Sequence, residues 1–222
     1  MTRGSAARRT VWLLLAMGGG QFGAVDPLEG QPFQGRIRMQ LRTTGPSGPA
    51  LQAAEYSVQG NKARLDLPEV MGGVAMLVTA GSRQMTMLMV AQQRFAESAM
   101  PGGPDALAPA MPAPRITRSG RMETMAGLRC EHVTVAAEGQ VADLCLTTAL
   151  GPLVMNPLEV MGRASGTSAW PRALGADEFP LRVTLPDGTV GLQVTAVERK
   201  RLAPDLFAVP LEYTRMEPPR RF

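Results

Sequence analysis

The chain has one histidine and two cysteines, and the three lie near one another as Cys130, His132 and Cys145, with Asp143 two residues before the second cysteine. These residue types serve two chemistries. Two thiols facing each other in an oxidising compartment form a disulfide. Two thiolates, an imidazole and a carboxylate on one face can instead hold zinc or copper. The spacing favours the disulfide. A four-residue loop at 136–139 sets Val135 opposite Gln140, and that register carries His132 opposite Asp143 and Cys130 opposite Cys145. A bridge closing a loop of this size contributes about 3 kcal/mol. Oxidation leaves no thiolate for a metal, and His132 against Asp143 then reads as a cross-strand charged pair.

A second constellation is built from thioethers. Met85, Met87 and Met89 alternate with Thr86 and Leu88, so on a strand the three methionines share one face. Thioethers are soft ligands suited to Cu(I); they are also flexible fillers of cores and of cavities that accept varied apolar ligands. Plain core, cavity lining and copper site all stay open. Met39, Met76, Met122 and Met125 enlarge the supply, and Ala53 and Ala75 serve either ligand space or close packing.

Catalysis has little to build on. Any Ser-His-Asp triad must use His132, and no G-x-S-x-G elbow is present. The chain also lacks H-E-x-x-H, P-loop and G-x-G-x-x-G motifs. Acid pairs such as Asp177-Glu178 stand beside turns, where carboxylates are solvated. No catalytic residues, cofactor or resident metal are expected, and the chain reads as a non-catalytic binding or structural protein.

The elements that must position these groups are strands. Of 222 residues, 45% are hydrophobic but only 5% aromatic, so aliphatic and methionine side chains fill the core. The 24 glycines and 19 prolines fit many turns and short strands better than long helices. Residues 33–42 alternate apolar and polar along Phe33, Gly35, Ile37, Met39 and Leu41, the period of a strand with one wet face. A turn follows at 45–49. Gly60-Asn61 lies between runs at 54–58 and 63–67, a tight hairpin. Runs at 74–80 and 84–90 flank 81–83, a short run covers 94–97, and others follow at 116–124, 128–135 and 140–147. A third hairpin turns at 186–189 between 179–185 and 190–200. Asn156-Pro157-Leu158-Glu159 has the cap, first-turn proline and reaching glutamate of a short helix, about 157–163. Residues 98–114, rich in Pro, Ala and Gly, read as an inserted surface loop.

The start of the chain reads as an address. Arg3, Arg8 and Arg9 precede the apolar run 11–17 and then Gly18, Gly19 and Gly20, the pattern of a cleaved secretory signal. The run is too short to span a bilayer, which takes roughly 20 residues. Cleavage after Gly20 puts small residues, Gly18 and Gly20, at both positions the peptidase reads, whereas after Ala24 the third position, Phe22, fits poorly; residues 1–24 are set apart and 25–222 form a single domain. Arg8-Arg9 also partly matches a twin-arginine signal, and no cysteine follows the apolar run to accept a lipid. A periplasmic or secreted protein without a transmembrane span is expected. Nucleic acid is not an expected partner. Without the three leading arginines the 23 basic residues fall to 20 against 19 acids, and no basic cluster remains to neutralise phosphates.

Several stretches together resemble an exported bacterial family catalogued as a domain of unknown function, itself similar to the outer-membrane lipoprotein carriers of LolA/LolB-like fold. They are the glycine-containing first strand, Met85-Thr86-Met87-Leu88, the run from Gly120 through Met125-Ala126-Gly127 to Cys130, and the closing run from Leu206 to Tyr213. The resemblance covers roughly 30–215. It implies a mainly β fold: an antiparallel sheet of about eleven strands, curled into an incomplete barrel, with one or two short helices over a greasy cavity that in the carriers holds acyl chains. Ile37, Met39, Leu41, Met76, Met85, Met87 and Met89 are the candidate lining for a lipid or other apolar ligand. The alternatives are a periplasmic copper- or metal-binding protein, and a structural envelope protein that contacts a partner without a small ligand.

Overall fold

Period-two alternation over most of the chain builds one large sheet. In the computed structural model, which describes residues 33–45, 48–82, 84–99, 114–137, 139–152, 154–155 and 174–216, twelve strands run in the order β12-β6-β5-β4-β3-β2-β1-β11-β10-β9-β8-β7. They are β1 (Gly35–Gly45), β2 (Gly48–Gln59), β3 (Lys62–Leu67), β4 (Val74–Thr79), β5 (Gln84–Met89), β6 (Arg94–Ala99), β7 (Arg115–Met125), β8 (Leu128–Ala137), β9 (Gln140–Thr147), β10 (Phe179–Thr184), β11 (Val190–Arg199) and β12 (Thr214–Arg215). The sheet is mainly antiparallel and is not closed into a barrel: β7 and β12 are its two ends, and β12 joins β6 in parallel. The described residues belong to one compact unit, Gln31–Phe222. The expected signal segment, most of the 98–114 loop and the expected helix at 157–163 lie outside them. The described helical segments are single 3-10 turns, Val90–Gln92 and Pro204–Phe207. None is long and apolar enough to cross a membrane, which says nothing of strands.

The two-sided β1 pattern produces the expected split. Ile37, Met39 and Leu41 are buried, while Arg38 and Gln40 between them are exposed. Gly35 is required where β1 meets β11. It adopts φ +146°, and a Cβ there would lie 1.9 Å from the Glu198 carbonyl oxygen. Further along the strand, the β1–β11 register shifts between Arg38 and Met39, and the Thr195 hydroxyl donates to the Arg38 carbonyl at 3.1 Å. This bulge keeps both inward patterns aligned across an odd residue.

The main core occupies one face of the sheet and includes Ile37, Tyr56, Leu65, Val133, Leu144, Leu181 and Leu192, each fully buried. Strand β4 is buried on both faces. Its Met76 and Val78 join the main core, whereas Ala75 and Leu77 pack with Leu88, Phe95, Val209 and Tyr213 in a small second cluster. The segment after β11 supplies that outer cover, and its Leu206 carbonyl accepts a 3.0 Å hydrogen bond from Arg64. Burial on both sides explains the continuous apolar run of β4.

Two expectations need correction. The 45–49 turn region is mostly strand, since Gly45 pairs directly with Gly48. The β8–β9 hairpin is tighter than a four-residue loop at 136–139, with Gly139 at φ +76°. Ala137 therefore faces Gln140, which sets His132 opposite Cys145 and Thr134 opposite Asp143. The tighter turn moves the register but leaves the same residues on the same face.

Candidate functional site

Two clusters carry the chemistry. The first lies on the core face of β4 and β5. Register pairs Met76 with Met87, Val78 with Met85 and Val74 with Met89. One cross-strand row then runs Ile37–Tyr56–Leu65–Met76–Met87–Ala96. The seven candidate lining residues thus share one face, but they divide in two. Ile37, Met39, Leu41 and Met76 are buried within the main core. Met85, Met87 and Met89 are half-buried. Over the buried part, Leu150 and Met155 join the same core, and the Met155 amide donates to the Tyr56 hydroxyl at 3.2 Å. The chain thus lays its own side chains over the middle of this face. Beyond the methionines, β6 presents Arg94, Ala96 and Ser98 at register positions beside Met89, Met87 and Met85. Ala53 and Ala75 point to the opposite face from this row, by the alternation of their strands.

The second cluster lies where β7, β8, β9 and β10 meet. Cys130 and Cys145 form the disulfide, with their Cα atoms 5.3 Å apart and both residues buried. They sit diagonally across the ladder rather than face to face, for the reason of register given above. His132 is 2% exposed at its side chain. Its Nδ1 lies 2.7 Å from Asp143 Oδ1 and 2.6 Å from Arg121 Nη2, and its Nε2 lies 2.9 Å from Glu123 Oε2. Arg182 grips Glu123 with both terminal nitrogens, at 3.2 and 2.5 Å. The hydrogen bond from His132, and after it the one from Arg182, holds the Glu123 carboxyl below its ordinary value.

This arrangement limits what His132 can do. Both ring nitrogens lie within hydrogen-bond distance of a carboxylate, and Nδ1 also of Arg121, so neighbours hold the ring on both edges. Ligand atoms of Glu123, His132 and Cys145 lie within 4.8 Å of one another, but the sulfur is committed to the disulfide and offers no thiolate. Arg121 and Arg182 already supply the cationic charge that a metal ion would bring. The cluster braces four strands through paired opposite charges.

Sequence reasoning found His132, Asp143 and the cysteines but missed Glu123, Arg121 and Arg182. Glu123 was within reach: the two-residue turn Ala126-Gly127 fixes Met125 opposite Leu128 and so Glu123 opposite Cys130. Arg182 arrives from a strand far along the chain and has no local signal. A hollow of about 380 Å³ near the β7 end is lined by Arg118, Arg129, Glu131 and Glu178 among others. There Arg118 is bound by Glu131 at 3.0 Å and by Glu178, so its charge is already neutralised.

Comparison with known proteins bears on the fold. The chain aligns with a solved structure of PNGF-II in its P21 crystal form at TM-score 0.50 and 10% identity, covering 84% of this chain and 32% of that one. The C2 form of PNGF-II aligns at TM-score 0.47, with 10% identity and coverage of 83% and 31%. An uncharacterised conserved protein from Thermus thermophilus aligns at TM-score 0.48 and 12% identity, over 85% of this chain and 93% of that one. The chain spans about a third of the PNGF-II structures, and at such identities the first alignment speaks to fold alone. No curated protein matches the sequence. Residues 33–213 match the family described as a domain of unknown function, DUF4412, and the chain belongs to that family.

Proposed function

We propose that this chain is a non-catalytic, exported binding protein, and that the methionine strip of β5 is the surface that receives its ligand, a lipid or other apolar small molecule. One observation carries the reading. On a face whose middle is covered by Leu150 and Met155, Met85, Met87 and Met89 are only half-buried beside the buried Met76. Flexible thioethers accommodate varied apolar shapes. Each 100 Å² of apolar surface removed from water there contributes about 2.5 kcal/mol. The resemblance to lipoprotein carriers supports an acyl chain as the first ligand to try. The burial of Ile37, Met39 and Leu41 narrows the site to the β4–β5 side of the sheet.

Native mass spectrometry of protein purified from the exported fraction tests this, together with titration by a fluorescent fatty acid. Co-purified lipid, or saturable fatty-acid binding weakened at least tenfold when Met85, Met87 and Met89 are all changed to Gln, is the expected result. Absence of both in the unmodified protein overturns the reading. N-terminal sequencing of the exported protein tests the address separately, with Gln21 or Val25 as the expected first residue.

A further inference from the structure

We propose that Met76, Met85, Met87 and Met89 form a Cu(I) site. The inference rests on the same reading of the methionine strip as a ligand-contacting surface and adds a second ligand class to it. The spacing in β5 alone offers three thioethers along one face; the sheet adds a fourth from the neighbouring strand. Met76 stands directly opposite Met87, with Met85 and Met89 on its two diagonals. Directly opposed side chains in an antiparallel pair start with Cβ atoms roughly 5 Å apart, and diagonal ones roughly 7–8 Å apart. The unbranched methionine side chain, with its rotatable bonds, closes such gaps. The arrangement thus allows three or four sulfurs to converge on one ion.

The neighbours decide which ion. The register partners of the four methionines are Leu65, Val74, Val78, Ala96, Ser98 and Arg94. None is a carboxylate, an imidazole or a thiolate. A set of neutral, soft sulfur donors next to an arginine disfavours hard divalent ions such as Mg²⁺ and Ca²⁺, and selects a soft, singly charged ion such as Cu(I). Accessibility fits as well. Met76 is 7% exposed and closes the site on the core side, while the other three are half-buried and leave an approach for the ion. Thioethers, unlike the oxidised Cys130–Cys145 pair, keep their donor sulfur without needing a reducing compartment.

The test is an anaerobic titration of the full chain with Cu(I) held by a chromophoric competitor such as bicinchoninate. The expected result is withdrawal of one equivalent of copper, with affinity falling at least tenfold in Met87→Leu and in Met76→Leu. Binding should vanish when all four are changed to Leu. Leucine nearly conserves methionine's volume, and an unchanged far-ultraviolet spectrum and urea midpoint confirm that each variant is folded. No withdrawal by the unmodified protein, or equal withdrawal by the folded quadruple variant, overturns the copper site. Fatty-acid binding measured on the same samples separates the two readings. Absence of copper binding alone refutes this inference and leaves the proposed function standing. Failure of both in the unmodified protein returns the strip to plain core.

Discussion

Gly35→Ala tests the packing logic at the junction of β1 and β11. The new methyl carbon would lie 1.9 Å from the Glu198 carbonyl oxygen, 3.0 Å from its carbon and 3.1 Å from the Arg199 Cα, all backbone atoms, where ordinary contact begins at 3.4 Å. The strands must therefore part by about 1.5 Å. They have no room to do so. Gly35 pairs with Arg199 on one side and Val58 on the other, and the ladder continues through Lys200 N–H to the Gln34 carbonyl at 3.1 Å. Arg199 is also pinned over the Phe33 ring, 5.4 Å from its centroid. Loss of one or two ladder hydrogen bonds costs about 1 kcal/mol each. A side chain at φ +146° adds strain of about 1–3 kcal/mol. The sum is about 2–5 kcal/mol. At a urea m-value of about 2 kcal/mol/M, the unfolding midpoint falls by roughly 1–2.5 M. Gly60→Ala is the control: it shares a positive φ but meets nothing within 4 Å, and costs about 1 kcal/mol. A Gly35→Ala midpoint equal to that of Gly60→Ala would refute the argument.

Three further outcomes follow from the same structure. Changing Cys130 and Cys145 together to Ala should lower stability by about 3 kcal/mol in urea unfolding, given their separation of 15 residues; a loss under about 1 kcal/mol would mean that the hairpin already constrains the unfolded chain. Glu123 titrates below its ordinary 4.5 in the folded protein, so its contribution is complete above that pH and lost as pH falls through the lower folded value. Glu123→Gln should therefore flatten the decline of stability below pH 4.5, with a residual slope from Glu178, Asp187 and Glu198, which are also held low; parallel pH profiles for variant and parent would contradict this. Ala126 sits at φ +47° in the β7–β8 turn, where Gly avoids a penalty of about 1 kcal/mol; Ala126→Gly should raise the thermal midpoint by a few degrees, and a decrease would show that turn to be unstrained.

What the amino-acid sequence determined by itself is local. Apolar patterning marks eleven of the twelve strands, by alternation in strands such as β1 and by a continuous apolar run in β4, because the side-chain period of a strand is two and a strand covered on both faces is apolar throughout. Gly60-Asn61 and the cysteine pair were legible for the same reason: each joins positions within a single hairpin. Tertiary structure decided the rest. The β8–β9 register depended on whether the turn took four residues or fewer, which composition does not settle, and β12 is too short to carry a pattern. Ile37 and Met87 look alike as inward residues of alternating strands. Only the packing of Leu150 and Met155 over the centre of the face distinguishes the closed part from the half-open methionine strip. Likewise, nothing near His132 in the chain announces Arg182. The cation that pairs Glu123 in that brace comes from a residue 59 positions beyond it, on a strand whose place beside β9 is set by the whole sheet.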